Sequence, residues 1–256
     1  MDGVSPQVTA GIQRVFIWCA PLFFLIYGIG FVFFARFIPP PSPSKSAEQI
    51  AAIYAHRAGG IRVAGMFLCF AAAFIMPICV VLFVQMRRIE GRWAPLAYLQ
   101  LTMGAILVME FIVAAIMLEG IAYRGGHSPD VVSAVNDIVW MDLVGISGTA
   151  LLQWTAIGAC ILLDRRPVPV FPRWYGYLNL WAALDYCGGT VCVLFRHGPL
   201  AWNGIVAYWL PLVTFVIWTS ATIPLLLRAV RDQAVEDSGV PAPIATAPAP
   251  TPAPAY

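Results

Sequence analysis

The sequence predicts an all-α, polytopic transmembrane helical bundle of six spans, with both termini in the cytoplasm and two short helices in the outer loops. Three observations predict it. Hydrophobic residues make up 60% of the 256-residue chain and charged residues only 11%, with a mean hydropathy of +0.79, whereas soluble domains carry roughly 25% charged residues. Apolar runs of membrane-crossing length recur along the chain. Arginines concentrate in two short connections between those runs, as the positive-inside rule requires of cytoplasmic loops.

A hydrocarbon core of about 30 Å takes roughly 20 helical residues. Segments 15–38, 62–86, 94–118, 142–163, 174–195 and 204–227 reach that length. The first follows Arg14. It is too long for a signal-peptide h-region and lacks a convincing cleavage site, so it reads as a retained span behind a cytoplasmic N-terminus, 1–14.

Residues 39–60 supply no further span, because PPPSPS is followed by polar sequence. There Ser46 and Gln49 have the spacing of a capping box. They predict a short outer helix with Ile50, Ile53 and Tyr54 on one face, closed by Gly59-Gly60. In the connection between the third and fourth spans, Ser128 as N-cap and Pro129 at the first helical position predict a second outer helix. It carries Val131, Val132 and Val135 and runs into the fourth span. Two such helices either cap the outer face or lie on lipid headgroups. The bundle occupies 15–231. From Asp232 the chain turns briefly acidic and then reads VPAPIATAPAPTPAPAY, so 232–256 is predicted to be a disordered cytoplasmic tail with polyproline character.

With the N-terminus inside, the cytoplasmic side carries Arg14, Arg87, Arg88, Arg92, Arg165, Arg166, Arg173, Arg228 and Arg231, and the outer side Arg36, Lys45, Arg57, Arg62, Arg124 and Arg196. The bias of nine to six falls mainly in RRIEGR and DRRPVPVFPR, the short loops where the rule works best. Trp93, Trp174 and Tyr175 beside those arginines, and Trp140, Trp202, Tyr208 and Trp209 near the opposite boundary, suit interfacial belts. The two arginine loops also echo each other. RRIEGRWAPLAYLQL at 87–101 aligns with RRPVPVFPRWYGYLNL at 165–180: an Arg pair, Arg-Trp, then Tyr-Leu-amide-Leu. Either spans two-three and four-five are parallel structural repeats, or any cytoplasmic hairpin favours these residues.

Several functions are disfavoured. The net charge of +2, with no basic run, gives no sign of a nucleic-acid partner. Cys19, Cys69, Cys79, Cys160, Cys187 and Cys192 all lie in apolar stretches without a CxxC pair and read as packing residues. GxSxG, HExxH and P-loop motifs are missing, so an enzyme is disfavoured. The only lysine, Lys45, is in a loop, which rules out a retinal Schiff base. No span carries a histidine deep inside it, which disfavours haem. No cofactor is expected.

Charged groups inside a bilayer are costly and usually mark a site or an internal pairing. Glu110 in the third span and Asp185 in the fifth fall at similar depths, roughly 12–14 Å below the outer boundary at about 1.5 Å per residue. Asp142 opens the fourth span and, at helical spacing, shares a face with Thr149 and Gln153. Gly188, Gly189 and Cys192 accompany Asp185, leaving room for a ligand or permitting close helix packing. Met103, Ile106, Val113, Ala114 and Met117 accompany Glu110 and resemble core. Glu110, Asp142, Thr149, Gln153 and Asp185 are therefore candidate lining residues of one outward-facing polar pocket between spans three and five. The alternative is that these groups bond one another and fix helix register. His56, His127 and His197 fall on the outer side with Glu119, Asp130 and Asp137. They are weak candidates for a transition-metal site, since no tight ligand spacing occurs.

RRIEGRWAPLAY, DRRPVPVFPRWYGYLNLWAAL and GPLAWNGIVAYWLP resemble segments of a group of uncharacterised bacterial six-span membrane proteins. The resemblance covers most of 15–230. It implies a bacterial cytoplasmic-membrane location and carries no activity, substrate or site residues. Three functions stay open: a non-enzymatic protein binding or passing a small solute, an accessory or scaffold subunit of a membrane complex, and a metal-dependent membrane enzyme. The lipid bilayer is a partner in all three, and an oligomer or partner subunit is compatible with each.

Overall fold

The computed structural model describes residues 5–238. The chain is all-helical, with no strand among the described residues. Helix α1, Pro6–Gly28, opens where the Ser5 hydroxyl accepts from the Val8 N–H at 3.4 Å and Pro6 takes the first turn. It continues as a π-helical segment, Ile29–Phe34. Helix α2, Ala47–Ala72, starts on the expected capping box: the Gln49 N–H donates to Ser46 Oγ at 3.4 Å and the Ser46 N–H to Gln49 Oε1 at 3.1 Å.

Helix α2 does not close at Gly59-Gly60 as expected; it runs on without a break. At Gly60 a Cβ would collide with the Phe34 carbonyl, so this glycine serves close approach of two segments rather than a helix stop. A 3₁₀ turn, Ala73–Ile75, joins α2 to α3, Met76–Glu90, which carries a proline in its first turn. Pro77 has no N–H to complete an α-helical bond, and the ladder tightens there.

Helix α4 is Pro95–Tyr123 and α5 is Pro129–Trp140. A π-helical segment, Met141–Gly145, follows α5, and Ile146 is extended before α6, Gly148–Leu163. The connection into the fourth predicted span is therefore not one regular helix. Helix α7, Arg173–Thr190, ends in a 3₁₀ turn, Val191–Leu194. A third π-helical segment, Ile205–Trp209, leads into α8, Leu210–Asp237. Helix α8 thus continues into the segment assigned to the tail; residues 239–256 of that tail lie outside the described residues.

Among the described residues, five helical stretches are long and apolar enough to cross a membrane: Pro6–Phe34, Ala47–Glu90, Pro95–Tyr123, Pro129–Leu163 and Ile205–Asp237. Helix α7 is not among them, because Arg173, Asn179 and Asp185 dilute its hydropathy. The outside of the bundle is itself apolar. Trp18, Leu25, Phe33, Phe70, Ile116, Leu184 and Leu194 are all exposed, as in helices compatible with an integral membrane protein in contact with lipid.

Helix α6 packs on α7 and α4, α4 on α2 and α3, and α1 closes against α8. One apolar core lies toward the arginine connections, around Ile17, Leu82, Met86, Ile157, Tyr175 and Trp218. The other lies toward the opposite end, around Phe31, Phe37, Tyr54, Leu118, Trp140 and Trp202.

The arginine end is tied by groups that composition did not single out. Buried Gln85 donates from Nε2 to Gln13 Oε1 and to Gln233 Oε1, each at 2.8 Å. Arg88 donates to Gln85 Oε1 at 2.5 Å and to the Ala229 carbonyl at 3.1 Å, and pairs with Glu236 at 2.7 Å. This joins α1, α3 and α8. Glu90 accepts from the Leu96 and Ala97 N–H groups at 3.1 and 2.7 Å, capping α4. Asp164 accepts from the Arg166 and Val170 N–H groups at 3.1 and 3.0 Å and bonds the Arg166 guanidinium at 3.2 Å, holding the second arginine connection.

Candidate functional site

A cavity of about 210 Å³ lies between the two apolar cores. Its walls come from α1 (Phe23, Phe24, Tyr27), α4 (Leu107, Glu110, Phe111), α6 (Gln153, Trp154) and α8 with its preceding π segment (Tyr208, Phe215). The segment after α5 adds Asp142, and α7 contributes only Tyr186.

The three π-helical segments all reach this cavity, through Phe31, through Asp142, Leu143 and Val144, and through Ala207 and Tyr208. A π turn adds a residue per turn and re-aims the side chains that follow, and such turns recur at functional sites. Glycines accompany each one: Gly28 and Gly30, Gly145, and Gly204, whose carbonyl accepts from the Tyr208 and Trp209 N–H groups at 3.0 and 3.3 Å. Glycines inside apolar runs are the sequence signal that could have pointed to this geometry.

The predicted site residues divide. Glu110 and Asp142 both line the cavity, with Gln153. Thr149 is not a wall residue; its hydroxyl donates to Glu110 Oε1 at 2.9 Å and orients that carboxylate. Asp142 does not share a regular helical face with Thr149 and Gln153. The π segment and the extended Ile146 separate them, and Asp142 reaches the cavity from a different element. Its Oδ2 is buried and lacks a hydrogen-bond partner. Gln153 also faces the interior, donating to Cys79 Sγ at 3.4 Å and Gln100 Oε1 at 3.5 Å. Gly104 makes room for this cluster, since a Cβ there would sit 2.8 Å from Cys79 Sγ and 2.9 Å from Gln153 Nε2.

Asp185 does not join them. It lies beside Thr214 of α8, and neither Asp185 Oδ2 nor Thr214 Oγ1 completes a hydrogen bond. The glycines around it serve packing: a Cβ on Gly189 would collide with the Val144 carbonyl, and one on Gly188 would lie 3.1 Å from Val206 Cγ1. Around Glu110, Ala114 is buried, but Ile106 and Val113 point outward, 42% and 41% exposed. The buried side of α4 therefore runs through Leu107, Phe111 and Ala114. His56, His127 and His197 are each exposed. Among the described residues, no group of three His, Cys, Asp or Glu side chains is placed to hold a metal ion.

Sequence reading missed the aromatic walls. Tyr27 stacks on Phe31 at 5.7 Å between centroids and meets Phe111 edge-on at 5.3 Å. Trp140 meets Phe31 at 5.9 Å and Tyr208 at 6.2 Å, and Trp154 meets Tyr186 at 4.5 Å. Trp140 is fixed from above by Asn136, whose Oδ1 accepts from Trp140 Nε1 at 3.1 Å and from the Tyr54 hydroxyl at 3.2 Å. The N-terminal part of α2 and helix α5 thus meet over the cavity through one amide.

Compared with known proteins, the chain matches no family model, no curated sequence and no solved structure.

Proposed function

We propose that the chain is a six-span protein of a bacterial cytoplasmic membrane, with both ends cytoplasmic, and that its cavity binds or passes a small solute on the outward-facing side. The observation that carries this reading is the meeting of three π-helical segments and two carboxylates, Glu110 and Asp142, at one cavity. Carboxylates inside an apolar bundle are costly and are retained where they act or are paired. Here neither has a basic partner among the wall residues.

Helix α7 supports a sixth crossing despite its polar residues. Its 18 residues extend about 27 Å at 1.5 Å each, and Asn179 is buried and hydrogen-bonded rather than turned outward. Intramembrane polar side chains facing the bundle interior are the expected pattern.

Tryptophan fluorescence tests the solute reading, because Trp140 and Trp154 line the cavity. Purified protein is titrated with small cationic, neutral and anionic organic solutes while its thermal stability is followed. At least one class is expected to perturb the fluorescence saturably and stabilise the protein. Gly28→Phe, at a wall position where a Cβ meets no atom within 4 Å, should abolish the response without unfolding. A folded wild type indifferent to every class overturns the reading.

A further inference from the structure

The cavity's chemistry narrows the solute class. Its walls hold two carboxylates and, among the described residues, no lysine, arginine or histidine. Glu110 receives one hydroxyl hydrogen bond, from Thr149. Asp142 Oδ2 is buried with none. A neutral apolar occupant would leave Asp142 in that state, which protein interiors avoid. An anion would meet two acidic side chains and no basic one. A divalent metal would find too few ligating side chains brought together.

Aromatic rings supply much of the remaining wall, Phe23, Tyr27, Phe111, Trp140, Trp154 and Tyr208 among them, with aliphatic side chains such as Leu107 and Leu143 between them. Aromatic faces carry negative potential and attract an alkylammonium within about 6 Å of the ring centroid. The rings and the carboxylates therefore favour the same kind of ligand, a cation with an apolar surface. A volume near 210 Å³ is below the roughly 300–1,000 Å³ of ordinary small-molecule pockets, which suits a compact ion rather than a long-chain amphiphile.

We propose that the cavity takes a compact organic monocation, an amine or quaternary ammonium, with Glu110 and Asp142 supplying the counter-charge and the aromatic walls enclosing the alkyl groups. This rests on the solute-binding reading and names its ligand class.

The test uses full-length protein in a maltoside detergent, which presents no cationic headgroup. The cationic probes are tetramethylammonium, benzyltrimethylammonium and choline. The neutral probe is 3,3-dimethylbutan-1-ol, which has the shape of choline without its charge, and the anionic probe is benzoate. The cations are expected to quench tryptophan fluorescence saturably and raise the melting temperature of the wild type, while the neutral and anionic probes do neither. Glu110→Gln combined with Asp142→Asn should weaken cation binding at least tenfold. Asp185→Asn, outside the cavity, should leave it unchanged. Comparing probes on the wild type alone keeps the test decisive if the double variant misfolds. Should the neutral alcohol bind as well as choline, the cation inference falls and the solute reading stands. If no probe of any charge binds the folded wild type, both fall. Cation binding undiminished in a folded double variant places the ion elsewhere and also overturns the inference.

Discussion

Gln100 and Asn179 hold equivalent places in the bundle. Each is wholly buried on the helix that follows an arginine connection. Each accepts a side-chain N–H from the next long helix: Gln100 Oε1 from Gln153 at 3.5 Å, and Asn179 Oδ1 from Trp218 at 2.8 Å. They are also the aligned amides of the two Tyr-Leu-amide-Leu motifs. The aligned Trp93 and Trp174 are both exposed, as are Tyr98 and Tyr177, so the echo extends to which residues face inward. The loops themselves differ. Gly91 and Ala94 turn the first through positive φ of 80° and 39°, whereas Asp164 holds the longer second one. The likeness therefore resides in helix-to-helix bonding rather than in loop construction, which favours the repeat over a shared loop requirement.

The two amides should differ in strength. Asn179→Leu leaves the Trp218 N–H unpaired in an apolar interior, and is expected to cost about 1–3 kcal/mol. Gln100→Leu breaks a long contact to Gln153 and a bond to the Cys79 carbonyl. Gln153 keeps its contact with Cys79 Sγ, and the loss should be smaller. Thermal unfolding in detergent ranks the two.

Close approach of α6 and α7 depends on Gly158. A Cβ there would lie 2.9 Å from the Gly176 carbonyl oxygen and from Leu180. Gly158→Val is expected to destabilise by about 1–3 kcal/mol through overpacking. Gly11→Ala, where a Cβ meets open space, should be neutral or stabilising by up to about 1 kcal/mol. The same unfolding measurement separates them.

At the arginine end, Gln85 and Glu236 should behave differently although both bond Arg88. Gln85→Leu removes the hub of a buried network joining three helices. It is expected to cost about 1–3 kcal/mol and to expose the end of α8 to limited proteolysis. The Glu236 side chain is 60% exposed, so Glu236→Ala should cost at most about 1 kcal/mol.

The N-in, C-in reading makes a labelling prediction. In a variant whose six native cysteines are replaced by serine or alanine, a single cysteine introduced at Arg92 or Arg165 should resist a membrane-impermeant maleimide in intact cells and react after lysis. One at His127 or His197 should react in both. The reverse pattern would invert the bundle and open the cavity toward the cytoplasm.

The sequence by itself determined the helices and several of their starts. Apolar run length reports whether a segment can exclude water from its backbone, and capping is local chemistry. Thus Ser46 and Gln49 form the expected box, and Pro129 opens α5 as its position implied. Only tertiary structure decided where polar groups meet. Helix α4 is apolar all round, so periodicity could not say that Leu107 and Phe111 face inward while Ile106 faces out. Gly59-Gly60 looked like a stop, but Gly60 is needed for approach to Phe34. Asp185 matched Glu110 in depth yet points to α8, because depth along a helix leaves rotation about its axis undetermined. Asp142 reaches Glu110's cavity only because a π turn shifts it out of register with α6. Rotation and register are set by the neighbours a helix packs against, and those neighbours are distant in sequence.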